Sequence, residues 1–116
     1  MTINEKNLCI NTSHILNKII YIDIDGILTK ETKGIDFKNR TPNLENIQIV
    51  NSLSINNKIV LYTSRYIIDC FTTRKWLKKY NVVYNKIIFN KYKYDYFIDD
   101  KCYNNFKIFF KKDKNE

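Results

Sequence analysis

Two aspartates, Asp23 and Asp25, stand two residues apart where an apolar run, Ile19-Ile20-Tyr21-Ile22, gives out, and Gly26 follows at once. A buried strand has no use for unpaired charge, so the pair marks the place where such a strand emerges into a polar site. Other runs end in a related way. Lys58-Ile59-Val60-Leu61-Tyr62 stops at Thr63-Ser64-Arg65, Tyr94-Asp95-Tyr96-Phe97-Ile98 stops at Asp99-Asp100, and Lys91 follows the apolar region from Val82 to Phe89. In an open parallel sheet the ligand lies outside the carboxyl ends of the strands, so these groups are expected to gather in one crevice. Carboxylates held that close raise one another's pKa unless a cation sits among them, which implies an oxygen-liganded divalent metal with Mg²⁺ as the default. A hydroxyl from Thr63 or Ser64 and the Lys91 ammonium would then be donors aimed at the oxygens of a phosphoryl group. The set predicts a phosphoryl-transfer site.

The elements that must position these residues alternate along the chain. The first strand, Ile19 to Ile24, lacks a polar face and is expected to be buried on both sides of a parallel sheet. A charged segment with little periodicity, about residues 28–40, reads as an exposed loop or short flap. Thr41-Pro42 offers an N-cap and a first-turn proline, and Leu44, Ile47, Val50 and Leu53 recur at helical spacing up to Asn56-Asn57. After the second strand, Ile67 to Tyr80 has Ile67, Cys70, Phe71, Trp76, Leu77 and Tyr80 as the apolar side of a second helix. Val82 to Phe89 is the third strand region and Tyr94 to Ile98 the fourth. Strand, helix, strand, helix, strand predicts a right-handed parallel α/β sheet. The link Asn90 to Tyr94 is the awkward one, because a parallel crossover normally takes a dozen residues or more.

The totals narrow the class. A chain of 116 residues is one small domain by size, read as an amino-terminal arm over residues 1–17 and a single domain over 18–116. No apolar run approaches the roughly 20 residues of a membrane span, and Asn4 to Asn7 ahead of Leu8-Cys9-Ile10 lacks a signal-peptide layout. A soluble, cytoplasmic protein with no membrane partner is expected. Cys9, Cys70 and Cys102 have no paired spacing and predict neither a disulfide framework nor a zinc site, and His14, the only histidine, has no ligand partners near it in sequence. The net charge of +8, from 20 Lys and Arg against 12 Asp and Glu, favours an anionic partner. A bias toward Lys, Asn, Ile and Tyr runs through the whole chain, so charge alone does not locate a site.

The same residues carry a resemblance. IIYIDIDGIL resembles the first motif of the haloacid dehalogenase-like (HAD) phosphohydrolases, KIVLYTSR the second, Lys91 the lysine of the third and YDYFIDDK the acidic fourth, in order from Lys18 to about Lys101. The resemblance implies a three-layer Rossmann-like parallel sheet with helices on both faces and no large cap domain. It implies a Mg²⁺-dependent phosphomonoester hydrolase acting on a phosphorylated small molecule, such as a sugar phosphate, through an aspartyl-phosphate. Asp23 would be the nucleophile, and Asp25 the acid for the leaving group and then the base for water. Thr63 would hydrogen-bond the phosphoryl group, Lys91 would neutralise it, and Ser64 and Arg65 would contact substrate. Mg²⁺ would be held by Asp23, Asp99 and the Asp25 carbonyl, with Asp100 as a further metal partner. Ile27 departs from the pattern, standing where the family carries Thr or Val.

Simpler readings stand beside this one. Asp25-Gly26 is a common turn pair and Asp99-Asp100-Lys101 suits a solvated loop. A nucleic-acid-binding module, or a phosphatase acting on polynucleotide ends, is the alternative, supported by the basic charge and by aromatics interleaved with lysine in Tyr92-Lys93-Tyr94 and from Phe106 to Lys112.

Overall fold

The computed structural model describes residues 12–103. Within them the chain is a small α/β unit whose three strands, β1 (Ile19–Ile22), β2 (Lys58–Tyr62) and β3 (Lys86–Ile88), form one parallel sheet in that order. Two α-helices, α1 (Leu44–Ser54) and α2 (Cys70–Lys79), carry the crossovers. Ile19 lies opposite Lys58 and Ile22 opposite Leu61, while Val60 and Tyr62 of β2 lie opposite Lys86 and Ile88 of β3. This register brings the ends of β1 and β2, and so Asp23 and Thr63, to the same edge of the sheet.

The core forms where the apolar periodicities meet. Ile22, Ile24 and Leu28 from the end of β1, Ile47, Val50 and Leu53 from α1, Ile59 and Leu61 from β2, and Trp76 and Leu77 from α2 are buried together. Each such side chain contributes about 1.5–3 kcal/mol when fully buried. The central strand is covered as expected, but β1 is not. Ile19 and Tyr21 are 66% and 56% exposed on one face of the strand, while Ile22 on the other face is buried at 5%.

Other boundaries also differ from the reading of the sequence. Helix α1 starts at Leu44, with the Asn43 side chain accepting the Asn46 amide at 3.1 Å. Thr41 does not cap it, since its amide and hydroxyl both donate to Glu31 at 2.7 Å, and Pro42 bridges Thr29 instead. The segment before α2 is a 3-10 turn, Ile67–Asp69, which leaves Ile67 and Phe71 58% and 73% exposed rather than in the core. The expected fourth strand is absent among the described residues. Residues 94–98 form no strand, and Tyr96 and Ile98 are almost fully exposed. The short link after β3 accounts for this, since it turns sharply at Asn90, whose φ is 63°, and gives the chain no length to return to the free side of β1.

Most of the expected arm, residues 1–11, and the segment from Phe106 to Lys112 lie outside the described residues. Of the remainder of the arm, Ile15 is buried in the core and the Asn17 amide donates to Asn56 at 2.8 Å. No helix among the described residues is long and apolar enough to cross a membrane.

Candidate active site

The turn that ends β1 is tight. The amides of Ile27, Leu28 and Thr29 all converge on the Ile24 carbonyl, at 3.2, 2.8 and 3.2 Å. Gly26 makes the turn possible, since its φ is +94° and a Cβ there would meet the Thr32 methyl at 3.0 Å. Ile27, the residue that departs from the motif, packs against the core while its carbonyl accepts the Asn46 side-chain amide at 2.9 Å. The turn holds the two aspartates apart in environment as well as in sequence.

Asp23 is half-buried at the open lip of the sheet. Its Oδ1 accepts the Ile24 amide at 2.8 Å, and its Oδ2 lies 3.8 Å from Lys91 Nζ. Burial pushes the Asp23 carboxyl above its ordinary pKa, opposed by the Lys91 charge and the Ile24 amide and reinforced by the charge of Asp25. Lys91 is brought there by lacing between strand ends. The Thr63 amide donates to the Ile88 carbonyl at 3.0 Å, the Lys91 amide to the Thr63 carbonyl at 2.9 Å, and the Asn90 amide to the Arg65 carbonyl at 2.8 Å. The Lys91 ammonium also sits over the rings of Tyr62 and Tyr94, at 5.1 and 5.5 Å from their centroids.

Asp25 is cross-braced. Arg65 donates from Nε to Oδ2 at 2.9 Å and from Nη2 to Oδ1 at 2.7 Å, a fork on a carboxylate. The third guanidinium nitrogen, Nη1, donates to the buried Thr73 hydroxyl at 2.9 Å, and the Phe37 ring lies 4.1 Å from the guanidinium carbon. The Thr29 hydroxyl accepts the Gly26 amide, donates to the Glu31 carbonyl at 2.7 Å and lies 3.3 Å from Asp25 Oδ1. Arg65, expected to meet substrate, is thus 3% exposed and engaged with Asp25. Thr63, 1% exposed, uses its hydroxyl to accept the Arg65 amide at 3.1 Å, and Ser64 is half-buried in the same turn.

Sequence reasoning missed Arg40. It is 5% exposed and places Nε 3.5 Å from Asp25 Oδ1. A signal was available, since only three of the 20 basic residues are arginines and the composition elsewhere uses lysine. Two of those three, Arg40 and Arg65, converge on Asp25.

The structure therefore brings Asp23, Asp25, Thr63, Ser64, Arg65 and Lys91 to one edge of the sheet. Asp99 and Asp100 belong to an exposed turn of their own, in which Asp99 Oδ1 accepts the Lys101 amide at 2.8 Å. That amide, with a hydrogen bond from Asp100, holds the Asp99 carboxyl below its ordinary pKa. Among the described residues no three Asp, Glu, His or Cys side chains converge on a point where a cation would sit.

Comparison with known proteins bears on the fold. No protein-family model and no curated protein matches the chain. Its fold is shared with solved structures. A structural-genomics target from Vibrio cholerae is similar at 25% identity and a TM-score of 0.64, over 74% of this chain and 82% of that one. Chains from the Pnkp1/Rnl/Hen1 complex and the Pnkp1/Rnl/Hen1 RNA repair complex are similar at 20% and 21% identity, with TM-scores of 0.58 and 0.57 over 70% and 74% of this chain. This chain spans about a third of their length, 31% and 29%.

Proposed function

We propose that the protein is a phosphomonoester hydrolase of the HAD-like type, with a three-layer Rossmann-like core, no large cap and a flap over residues 28–40, acting through an aspartyl-phosphate on Asp23. The observation that carries this reading is the Asp23 carboxylate at the lip of the sheet, with the Lys91 ammonium 3.8 Å away. Asp23 attacks phosphorus and forms the acyl-phosphate bond as the ester P–O bond breaks; the leaving oxygen takes a proton from Asp25. Asp25 then accepts a proton from water, whose oxygen attacks the same phosphorus, so that inorganic phosphate leaves and the Asp23 carboxylate is restored. Lys91 offsets the charge on the transferring group. The substrate is a phosphorylated metabolite, such as a sugar phosphate, admitted by an uncapped site.

Mg²⁺ belongs to the proposal as a requirement to be tested. The expected ligands are not gathered round one point, because Asp99 and Asp100 sit in an exposed turn of their own and no three carboxylates among the described residues converge. No step is routed through the metal. Purified protein given a generic aryl phosphate is expected to release phosphate with Mg²⁺, to lose that activity with EDTA, and to lose it again as Asp23→Asn; turnover by folded Asp23→Asn at the wild-type rate would overturn the assignment.

A second reading, contact with nucleic acid, rests on a specific surface. Tyr66 is 58% exposed with Lys93 Nζ 6.0 Å from its ring centroid, and Tyr92 and Tyr94 are exposed beside Lys91. Rings beside ammonium groups suit stacked bases and phosphates, and two of the similar structures are assemblies named with Pnkp1, one of them for RNA repair. Fluorescence anisotropy of a labelled single-stranded oligonucleotide with the Asp23→Asn protein tests it. Tight binding that weakens steeply with salt is expected on this reading, and salt-independent or absent binding removes it.

A further inference from the structure

Arg40 is tied to two things at once. Its Nη1 and Nη2 donate to the carbonyls of Lys33 and Gly34, at 2.8 and 2.9 Å, which fastens the flap backbone to a buried guanidinium. Successive carbonyls point to opposite sides of an extended chain, and Gly34, at φ +89°, supplies the turn that lets both face one group. The remaining nitrogen, Nε, lies 3.5 Å from Asp25 Oδ1 as an ion pair without a hydrogen bond. It is also the one buried side-chain nitrogen or oxygen without a hydrogen-bond partner among the described residues. Between the two arginines lies Phe37, from the middle of the flap, 4.1 Å from the guanidinium carbon of Arg65 and 5.2 Å from that of Arg40.

An unpaired buried donor is costly, and native structures keep few of them without a reason. Here the reason is at hand. The Arg65 fork fixes the plane of the Asp25 carboxyl and takes one lone pair on each oxygen, so turning an oxygen toward a leaving group or a water means giving up part of that fork. Arg40 Nε, 3.5 Å from Oδ1, has an uncommitted donor to offer when that happens. We propose that Arg40 is a positioning residue which hands Asp25 from Arg65 into its working orientation, and which, through Lys33, Gly34 and Phe37, makes that orientation conditional on a closed flap. The inference rests on the acid–base role proposed for Asp25, but the coupling of the flap to Asp25 can be measured without any turnover.

The test uses the full chain and two readouts. Arg40→Lys keeps the charge and loses the fork and Nε. It is expected to lower kcat on an aryl phosphate about 10- to 100-fold with KM changed far less, the size of effect a misplaced catalytic group produces. Hydrogen exchange of the amides of residues 33–39 is expected to speed up in Arg40→Lys and also in Asp25→Asn, whose direct tie to the flap, through the Thr29 hydroxyl to the Glu31 carbonyl, lies outside that span, because coupling between two sites is reciprocal. Phe37→Ala is expected to repeat both effects and Phe37→Tyr to restore them; these variants carry the test if Arg40→Lys does not fold. Wild-type flap exchange in Asp25→Asn would overturn the proposal, as would faster flap exchange in Arg40→Lys with kcat unchanged. Active Asp23→Asn would instead refute the phosphatase reading, and the reciprocal exchange would still decide the coupling.

Discussion

The two sides of the candidate site are built in different ways. Around Asp25 every neighbour is tied down: two buried arginines, the Thr29 and Thr73 hydroxyls and an aromatic ring leave the carboxylate little room. Around Lys91 and the residues that follow, one 3.8 Å ion pair and two ring contacts hold the ammonium, and then the chain runs out exposed to Asp99 and Asp100. Burial separates Asp25 from the Asp99–Asp100 turn, though not from Lys91, whose side chain at 13% exposed is as withdrawn from water as that of Asp25 at 18%. A charge withdrawn from water needs fixed partners, whereas an exposed acidic turn needs none and is free to be recruited or left alone. On the function proposed above, the braced side orients a group and the open side admits one.

That contrast can be broken by removing one partner on each side. Arg65→Ala leaves a largely buried carboxylate without its fork and is expected to cost about 3 kcal/mol of stability in urea unfolding. Asp99→Ala, on the exposed turn, is expected to stay within about 0.5 kcal/mol of wild type. Equal losses would mean that the two sides do not differ as described. A smaller effect tests how the braced side is anchored. Asn43→Ala removes the cap that starts α1 beside the base of the flap and is expected to cost about 1 kcal/mol by the same measurement.

The smallest effect lies at the boundary between the two sides. Asp23 binds its proton more tightly folded than unfolded, because burial raises its pKa. The native state therefore holds more protons over the interval between the ordinary and the raised value, and stability falls as pH rises through that interval. Lys91 opposes the shift, so Lys91→Met is expected to move the Asp23 carboxyl further up in an NMR titration. An unmoved Asp23 would show that the 3.8 Å contact has no electrostatic consequence.

How much of this was legible depends on how local each feature is. β1 and β2 could be read because their apolar runs stop at residues no buried strand tolerates, and Gly26 because only a turn explains it. Helix α1 was legible in its apolar spacing but not in its first residue, since Thr41 is claimed by Glu31, ten positions away. The segment from Tyr94 to Ile98 has the residue types of a strand, but a strand needs an edge to pair with, and sequence spacing cannot say whether the chain reaches one. Asp23 and Lys91 were legible as ends of runs. Arg40 was not, because its meaning comes from a flap that folds back to bring it beside Asp25, and no periodicity encodes that return; its only trace was an arginine in a chain that otherwise uses lysine.

The central claim is that Asp23 forms a bond to phosphorus. Protein mixed with an isotopically labelled aryl phosphate, quenched in acid within the first turnover and digested, is expected to carry the label as an acyl-phosphate on the peptide containing Asp23, and Asp23→Asn is expected to carry none. Label on another residue, or phosphate release with no labelled peptide from the wild-type protein, would contradict the account.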